Sequence, residues 1–192
     1  MKVALYGGSF NPITLGHVEV ALYVLNSGLV DQVWLVPSYR SCTGKKLANE
    51  NDRLEMCKLA TEKYEKIIVF DFEIKNKIVG TTAVFLEEFY KYYNKDKYYF
   101  VIGMDNAVGM ENWKDYQKIL KMIPFIVVPR IGYSNLENCW YHKDPHIFIE
   151  NSFPIPRKIS STLIRKYIED KKIYEDVDEK VTNHINSKNL YL

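Results

Sequence analysis

Residues 2–25 read KVALYGGSFNPITLGHVEVALYVL, and this stretch decides the fold that the rest of the chain must join. The uncharged run 3–6 is typical of a strand that is buried on both faces. Gly7 and Gly8 end that strand, and glycine lets the backbone approach a ligand closely. After the turn, apolar residues recur with helical spacing at Val18, Ala21, Leu22 and Leu25. The stretch therefore predicts a strand, a glycine-rich loop and a helix that Gly16-His17 opens.

The loop and the helix start together form a candidate phosphate site. Free N–H groups and the helix dipole favour an anion at a helix N-terminus. Gly8, Ser9 and Phe10 can offer backbone N–H groups, and His17 can offer a ring N–H. No lysine follows the glycine, so the loop is not a P-loop, and the G-x-G-x-x-G pattern of a Rossmann dinucleotide site is also missing.

Length and composition indicate one domain with its own hydrophobic core. The chain has 192 residues, of which 47% are hydrophobic. A net charge of +2 argues against a nucleic-acid partner, which needs a clustered basic surface. Cys42, Cys57 and Cys139 are far apart and form no CxxC pair, as in a reduced intracellular protein.

No pattern of a signal peptide or a membrane span is present in the sequence. The first strand starts at once and soon meets glycine, and no stretch approaches the roughly 18 apolar residues of a span. We therefore expect a cytoplasmic protein without a membrane partner. A nuclear location stays open, and the sequence is compatible with a homo-oligomer.

Strand and helix patterns alternate along the remaining chain. Further strands are predicted at 32–36, 67–72, 98–102, 125–128 and 146–150. Helices are predicted after a cap at Asn51 or Asp52, after Thr81-Thr82, over 112–121, after a cap at Ser160 or Ser161, and over about 176–186. In the helix after Ser160, Leu163, Ile164, Tyr167 and Ile168 should face the core. The segment 131–145 should be a loop.

Apolar strands that alternate with helices predict an α/β fold. We expect a Rossmann-like parallel sheet of five to six strands with helices on both faces. A single domain over residues 1–192 would end in a helical part from about 160 to 192. Ligands of such sheets bind beyond the carboxyl ends of the strands. That rule predicts one site surrounded by the loops 7–11, 37–46, 103–105, 129–130 and 158–162.

A second candidate phosphate motif is Ile159-Ser160-Ser161-Thr162-Leu163-Ile164-Arg165. Its hydroxyl-rich helix start can bind phosphate oxygens, and Arg165 one turn later can neutralise them. Alone this motif would indicate only an ordinary capped helix. It indicates a phosphate site because it occurs together with the loop of residues 7–17.

The two motifs together resemble those of a known enzyme family. Residues 8–17, GSFNPITLGH, resemble the signature of the nucleotidyltransferases, and ISSTLIR resembles a segment of the nicotinate- or nicotinamide-mononucleotide adenylyltransferases. Further similar segments are LVPSY at 35–39, VIGMD at 101–105, Trp113-Lys114, FIVVPRIGY at 125–133 and KNLY at 188–191. The resemblance thus runs nearly end to end, and it implies the nucleotidyltransferase type of the α/β fold.

This resemblance implies transfer of AMP from ATP to nicotinate mononucleotide, or to nicotinamide mononucleotide, with Mg²⁺ bound to ATP. The compact FIVVPRIGY form is similar to the bacterial-type, nicotinate-preferring branch. The implied catalytic residues are His17, Thr14 and Arg165. The implied ATP-binding residues are Gly8, Ser9, Phe10, His17, Gly103, Asp105, Ser160, Ser161, Thr162 and Arg165. The implied mononucleotide-binding residues are Asn11, Lys45, Thr82, Trp113 and Arg130, and no protein metal ligand is expected.

The sequence departs from the family at three points. Thr14 stands where many members have histidine, the loop before Lys45 reads SCTGK instead of carrying Pro-Pro-His, and Phe85 replaces the second threonine of a helix start. Either Lys45 or Lys46 could be the loop's phosphate contact.

Other functions fit parts of the same pattern. Thr14 is usual in phosphopantetheine adenylyltransferases, whereas Trp113 and Arg165 oppose that assignment, and they oppose a cytidylyltransferase as well. A non-catalytic nucleotide-binding module is the alternative from another class. The intact phosphate motifs at both ends of the chain argue against it.

Overall fold

A parallel sheet forms the centre of the computed structural model, which describes residues 1–42, 44–133, 139–150, 156 and 159–192. Within those ranges the sheet has six strands in the order β3-β2-β1-β4-β5-β6. The strands are β1 (Lys2–Gly8), β2 (Gln32–Pro37), β3 (Ile67–Val69), β4 (Lys97–Gly103), β5 (Phe125–Val128) and β6 (Ile147–Phe148). All neighbouring pairs are parallel, which confirms the predicted fold class.

Helices follow most strands, as the sequence pattern predicts. They are α1 (Leu15–Asn26), α2 (Glu50–Thr61), α3 (Phe72–Lys75), α4 (Thr82–Tyr90), α5 (Met104–Ala107), α6 (Tyr116–Met122), α7 (Ser161–Glu169) and α8 (Glu179–Ser187). Short 3₁₀ turns lie at Met110–Asn112 and Trp140–His142. None of the helices in the described ranges is long and apolar enough to cross a membrane.

The sheet separates two hydrophobic cores, and β1 contributes to both. Ala4 packs into a core with residues of α1, α2, α7 and α8, whereas Val3 and Leu5 pack into the other with residues of α4 and α6. All three side chains have no exposed surface. A strand buried on both faces needs an uninterrupted apolar run, which is what the sequence of β1 provides.

The strand order places a ligand crevice at the end of β1. From β1 the chain moves first to β2 and β3 on one side, and then crosses to β4, β5 and β6 on the other. The order therefore reverses between β1 and β4, and open α/β sheets bind ligands at such a switch point. The two strands end at Gly8 and Gly103, and these glycines frame the crevice.

Several predicted boundaries are wrong because short turns replace regular elements. The predicted strand 67–72 ends at Val69, and Phe72 begins the short helix α3 while its ring stays buried. The predicted helix 112–121 begins only at Tyr116, because Trp113 ends a 3₁₀ turn and Asp115 adopts a left-handed φ of 61°. The predicted strand 146–150 is limited to β6.

Helix ends and faces account for the remaining differences. The N-cap of α2 is Asn49, whose side chain accepts from the Asn51 N–H at 2.9 Å, so neither Asn51 nor Asp52 caps the helix. Leu163 of α7 is 45% exposed and does not face the core, in contrast to the buried Ile164 and Ile168. The predicted loop 131–145 contains the 3₁₀ turn Trp140–His142, and its residues 134–138 lie outside the described ranges.

Candidate active site

A cleft of about 560 Å³ opens at the carboxyl ends of the strands. This volume is within the usual range for small-molecule sites. All five predicted loops contribute to its walls, although residue 158 of the last loop is outside the described part of the chain. Representative lining residues from the five loops are Gly8, Ser38, Asp105, Arg130 and Ser160. The sequence therefore predicts the position of the cleft correctly.

The loop after β1 is held in an unusual backbone conformation at Phe10. This residue has a φ of 43°, which is rare for a bulky side chain. Its ring is buried, lies edge-on to His17 with 5.2 Å between ring centroids, and covers Gly8. A Cβ on Gly8 would lie 3.1 Å from that ring, so the close packing favours glycine. Phe10 thus supports the loop from below and does not line the cleft.

The loop's backbone can still receive an anion. Among hydrogen bonds between described residues, none uses the N–H of Ser9 or Phe10. The N–H of Leu15, in contrast, donates to the Asp176 carbonyl at 2.9 Å, so the first amide of α1 is already engaged. The amides of Ser9 and Phe10 are therefore available for a phosphate.

His17 lines the cleft, and its hydrogen bonds define its tautomer. Its Nδ1 accepts from the backbone N–H of Thr14 at 3.0 Å. Because a neutral imidazole carries one ring proton, that proton is on Nε2. His17 is therefore positioned as a hydrogen-bond donor to the cleft through Nε2.

The same ring is neutral at physiological pH. Burial and, to a smaller extent, the positive charge of Arg130 together lower the pKa of His17 to about 4. The neutral imidazole keeps its Nε2–H, so it can still donate a hydrogen bond to a developing negative charge. The sequence predicts His17 as a donor but gives no indication of its charge state.

Thr14 is the N-cap of α1 and is 2% exposed. Its Oγ1 lies 2.8 Å from Nδ1 of His17, and Thr14 is not among the residues that line the cleft. Thr14 therefore contacts the imidazole on the side opposite to Nε2. In this arrangement its side chain orients His17 instead of facing a ligand.

The two phosphate motifs meet, although about 150 residues of sequence separate them. Ser161 Oγ donates to the Pro12 carbonyl at 2.9 Å, and Arg165 Nη1 donates to the Asn11 carbonyl at 2.7 Å. The other Arg165 nitrogen, Nη2, donates to Thr162 Oγ1 at 3.2 Å. The start of α7 is thus attached to the loop after β1, and both line the cleft.

Helix α7 also presents backbone amides to the cleft. Its first intrahelical bond joins the Ile164 N–H to the Ser160 carbonyl, so the amides of 161–163 precede the ladder. Ser160 and Thr162 are exposed at this end, and Ser161 is partly exposed. The geometry agrees with the predicted anion-binding role of this motif.

Three residues of the cleft wall carry polar atoms without partners. Within the described ranges, three buried side-chain atoms have no hydrogen-bond partner, namely Thr81 Oγ1, Asp105 Oδ1 and Arg130 Nε. All three residues line the cleft. Asp105 Oδ2 and Arg130 Nη1 form an ion pair at 3.4 Å, so this wall carries both charges. Unpartnered buried polar atoms are rare, and their convergence indicates that a polar ligand completes the site.

The predicted mononucleotide contacts fall into two groups. Lys45, Thr82, Trp113 and Arg130 line the cleft, and Arg130 forms an ion pair with Asp105. Asn11 is 2% exposed, and its side chain is committed to protein partners. Its Oδ1 accepts from the Ala48 N–H at 3.0 Å and from the Tyr191 hydroxyl at 2.9 Å. The structure thus gives Asn11 a role in joining segments around the cleft.

Arg53 is an organising residue that the sequence motifs do not single out as part of the site. It has no exposed surface and donates three hydrogen bonds to backbone carbonyls. These bonds reach Ala48 at 3.0 Å, Ser9 at 2.8 Å and Tyr39 at 3.1 Å. A signal was present, because Arg53 stands on the same helical stripe as the buried Met56, Cys57 and Ala60.

Glu73 is a second residue of the cleft without a sequence signal. It lies in the four-residue helix α3, and its Oε1 accepts from the Tyr39 N–H at 2.9 Å. Burial raises the pKa of its carboxyl to about 7, while the Tyr39 bond and the charge of Arg53 act in the opposite direction.

Curated relatives match the chain over its whole length. A family model described as cytidylyltransferase-like matches residues 5–167. A probable nicotinate-nucleotide adenylyltransferase of Flavobacterium psychrophilum is 35% identical, and the match covers 100% of this chain and 99% of the relative. One of Caldicellulosiruptor saccharolyticus is 38% identical, with the same 100% and 99% coverage.

Solved structures share the fold. The nicotinic acid mononucleotide adenylyltransferase of Plasmodium falciparum, complexed with NaAD, superimposes with a TM-score of 0.85 at 22% identity. The match covers 99% of this chain and 97% of that one. At this identity the likeness concerns the fold, and it confirms the six-stranded parallel architecture.

Proposed function

The chain belongs to the nicotinate-nucleotide adenylyltransferase family, within the cytidylyltransferase-like group, and from this premise we propose the reaction and the residues that perform it. The enzyme transfers AMP from ATP to nicotinate mononucleotide, and it releases deamido-NAD and pyrophosphate. The observation that carries this proposal is the attachment of the Ser161–Arg165 motif to the loop after β1 in one cleft.

The acceptor itself supplies the nucleophile. A phosphate oxygen of the mononucleotide attacks the α-phosphorus of ATP, and the bond from that phosphorus to the bridging oxygen of pyrophosphate breaks. Because the acceptor is already an anion, no side chain has to be activated for the attack. Catalysis then consists of positioning and of stabilising the charge that develops on the phosphates.

The loop after β1 acts on the phosphorus at which bonds change. We assign Nε2–H of His17 and the amides of Ser9 and Phe10 to the α-phosphate and its bridging oxygen. Three observations support this assignment. The His17 ring is neutral, Thr14 orients it, and His17 lines the cleft. Thr14 therefore serves catalysis through His17.

The start of α7 holds the leaving group. We assign the hydroxyls of Ser160 and Thr162, the first amides of α7 and the charge of Arg165 to the β- and γ-phosphates. The β- and γ-phosphates carry negative charge from the moment ATP binds, and a guanidinium and a helix N-terminus both stabilise such charge. Gly103 and Asp105 lie at the end of β4, where we place the adenosine.

Enzymes of this family generally use a divalent metal ion with ATP. No group of three or more His, Cys, Asp or Glu side chains suited to a metal ion occurs among the described residues. Magnesium in nucleotide sites is usually held by phosphate oxygens, water and few protein ligands. We therefore place Mg²⁺ on the triphosphate and water, where it neutralises phosphate charge.

The acceptor ring lies between α4 and Trp113 in this proposal. Trp113 offers an aromatic face in the cleft, and Thr82 offers a backbone amide at the first position of α4. The unpartnered hydroxyl of Thr81 lies at the preceding position. Donors at a helix N-terminus suit a ring carboxylate better than a carboxamide, which supports nicotinate over nicotinamide.

Pyrophosphate release from ATP with three separate acceptors tests the function. We expect the highest kcat/KM with nicotinate mononucleotide, a lower value with nicotinamide mononucleotide, and none above background with phosphopantetheine. The ratio for the two mononucleotides measures the selectivity directly. A preference for phosphopantetheine would contradict the assignment, and silence with all three would favour a non-catalytic nucleotide-binding module.

A further inference from the structure

Residues 40–42 and 44–47, called the cationic wall 40–47 below, form one wall of the cleft, and they carry a concentration of positive charge. Arg40, Lys45 and Lys46 are exposed on it and line the cleft. The segment has no helix or strand among its described residues, so regular backbone hydrogen bonding does not fix its position. Its position therefore depends on side-chain contacts, which are a bond from Asn11 Nδ2 to the Lys46 carbonyl at 3.4 Å and the bonds at its two ends.

Side chains hold the peptide groups at both ends of this segment. At Tyr39 the N–H donates to Glu73 Oε1 at 2.9 Å, and the carbonyl accepts from Arg53 at 3.1 Å. At Ala48 the N–H donates to Asn11 Oδ1 at 3.0 Å, and the carbonyl accepts from Arg53 at 3.0 Å. Arg53 thus reaches both ends, while Glu73 contacts only the first.

Glu73 has a position that needs an explanation. Burial raises the pKa of its carboxyl. Burying an ionisable group costs free energy unless hydrogen bonds or charged partners compensate. The contact it makes is the bond from Tyr39, directly before the charged segment. The short helix α3 that carries it follows β3, on the far side of β2 from the loop after β1.

We propose that Glu73 is a positioning residue that fixes the cationic wall 40–47 for the anionic acceptor mononucleotide. It acts through the Tyr39 N–H and not by contact with the reacting atoms. The inference rests on the proposed function, because an acceptor that carries a phosphate gives the three cations their role. When the Tyr39 bond is lost, the wall moves and acceptor binding weakens, whereas the ATP subsite formed by α7 is unaffected.

Kinetics of Glu73→Leu, Glu73→Ala and Glu73→Gln test the proposal. We expect the acceptor KM to rise about ten-fold or more in the Leu and Ala variants, with the KM for ATP and kcat within about three-fold of wild type. Glu73→Gln keeps an oxygen acceptor for the Tyr39 N–H, so it should restore the acceptor KM to within about three-fold. Asp71→Leu, an exposed carboxylate that precedes the same helix, is the matched control.

Two kinetic results would overturn the proposal. One is an unchanged acceptor KM in both the Leu and the Ala variants. The other is an equal rise in the KM values for ATP and acceptor, because a general structural defect produces that pattern. A Gln variant as impaired as the Leu variant would also overturn it, since the bond to Tyr39 would then not be the operative contact.

Limited trypsin digestion provides a readout that does not depend on activity. Trypsin can cleave within the wall after Arg40, Lys45 and Lys46. If the wall is released, cleavage at these sites should be faster in Glu73→Leu and Glu73→Ala but not in Asp71→Leu. Equal cleavage rates in all four proteins would refute the positioning role. The two proposals can fail separately. If wild type used no mononucleotide but trypsin still cut Glu73→Leu and Glu73→Ala faster, the proposed function would be wrong and the positioning contact of Glu73 would stand.

Discussion

The two phosphate-binding elements of the cleft are built in different ways. The loop after β1 is committed to the protein interior, since Asn11 and Thr14 are each 2% exposed and His17 is oriented by Thr14. The start of α7 is exposed at Ser160 and Thr162, and it is attached to the first element by the bonds of Ser161 and Arg165.

This difference separates two tasks. The loop after β1 derives its geometry from the core, so it can present a neutral His17 at one fixed place. The start of α7 is attached to that loop by Ser161 and Arg165, and its exposed hydroxyls can hold a group that must leave. The comparison predicts that substitutions in the first element reduce turnover, whereas substitutions in the second reduce the affinity for ATP.

Replacing His17 with alanine should have the largest effect. It removes the donor that we assign to the α-phosphate, and loss of one such transition-state donor typically lowers the rate about 10²–10³-fold. We expect a kcat decrease of that size in a steady-state assay of pyrophosphate release. Near-normal turnover in this variant would mean that His17 does not stabilise the reacting α-phosphate.

The pH dependence of stability should show that His17 is buried in its neutral form. Its native pKa of about 4 lies below the ordinary histidine pKa of 6.5, so between these values the unfolded chain binds the proton first. Lowering the pH from 7.5 to 5 should therefore destabilise wild type relative to His17→Gln by about 2 kcal/mol, and above pH 7.5 the difference should be constant.

Urea unfolding of both proteins across this pH range measures the effect. Because Glu73 and all other titrating groups are present in both proteins, their contributions cancel in the comparison. Parallel pH profiles for wild type and His17→Gln would mean that the native imidazole titrates normally.

Replacing Arg165 with methionine should mainly impair ATP binding. The variant loses the cation that we place at the pyrophosphate, and a hydrogen bond to a charged group is typically worth about 1.5–3 kcal/mol. We expect the KM for ATP to rise about 10- to 100-fold with a much smaller change in kcat. Lys166→Met, an exposed cation of the same helix, is the control and should leave both parameters within about two-fold.

Replacing Thr14 with valine should have the smallest effect. The variant loses the hydroxyl at 2.8 Å from the imidazole, but it keeps the backbone N–H that defines the tautomer. We expect kcat to fall about 3- to 10-fold and Thr14→Ser to restore it. A loss as large as that of His17→Ala would mean that the hydroxyl contacts the reacting phosphates directly.

The sequence predicts the elements whose local signals agree with each other. The bounds of β5 match the prediction of 125–128, because proline flanks an apolar run at each end. The fold class follows from strands that are apolar throughout. Both phosphate motifs are also recognisable, since their glycines, hydroxyls and cations stand at fixed positions along the chain.

Contacts between distant segments lie beyond such reasoning. Glu73 resembles any surface carboxylate, and only the approach of Tyr39, 34 positions earlier, gives it a role. The engagement of Asn11 by Tyr191 joins residues 180 positions apart. Trp113 was assigned to a helix face, but the left-handed turn at Asp115 places it in a connection that lines the cleft.

A parallel measurement of ATP-analogue affinity and kcat in His17→Ala and Arg165→Met tests the division of tasks most directly. The account predicts opposite patterns, with affinity near wild type and kcat lost in His17→Ala, and with affinity lost and kcat largely kept in Arg165→Met. Proportional loss of both quantities in both variants would contradict it.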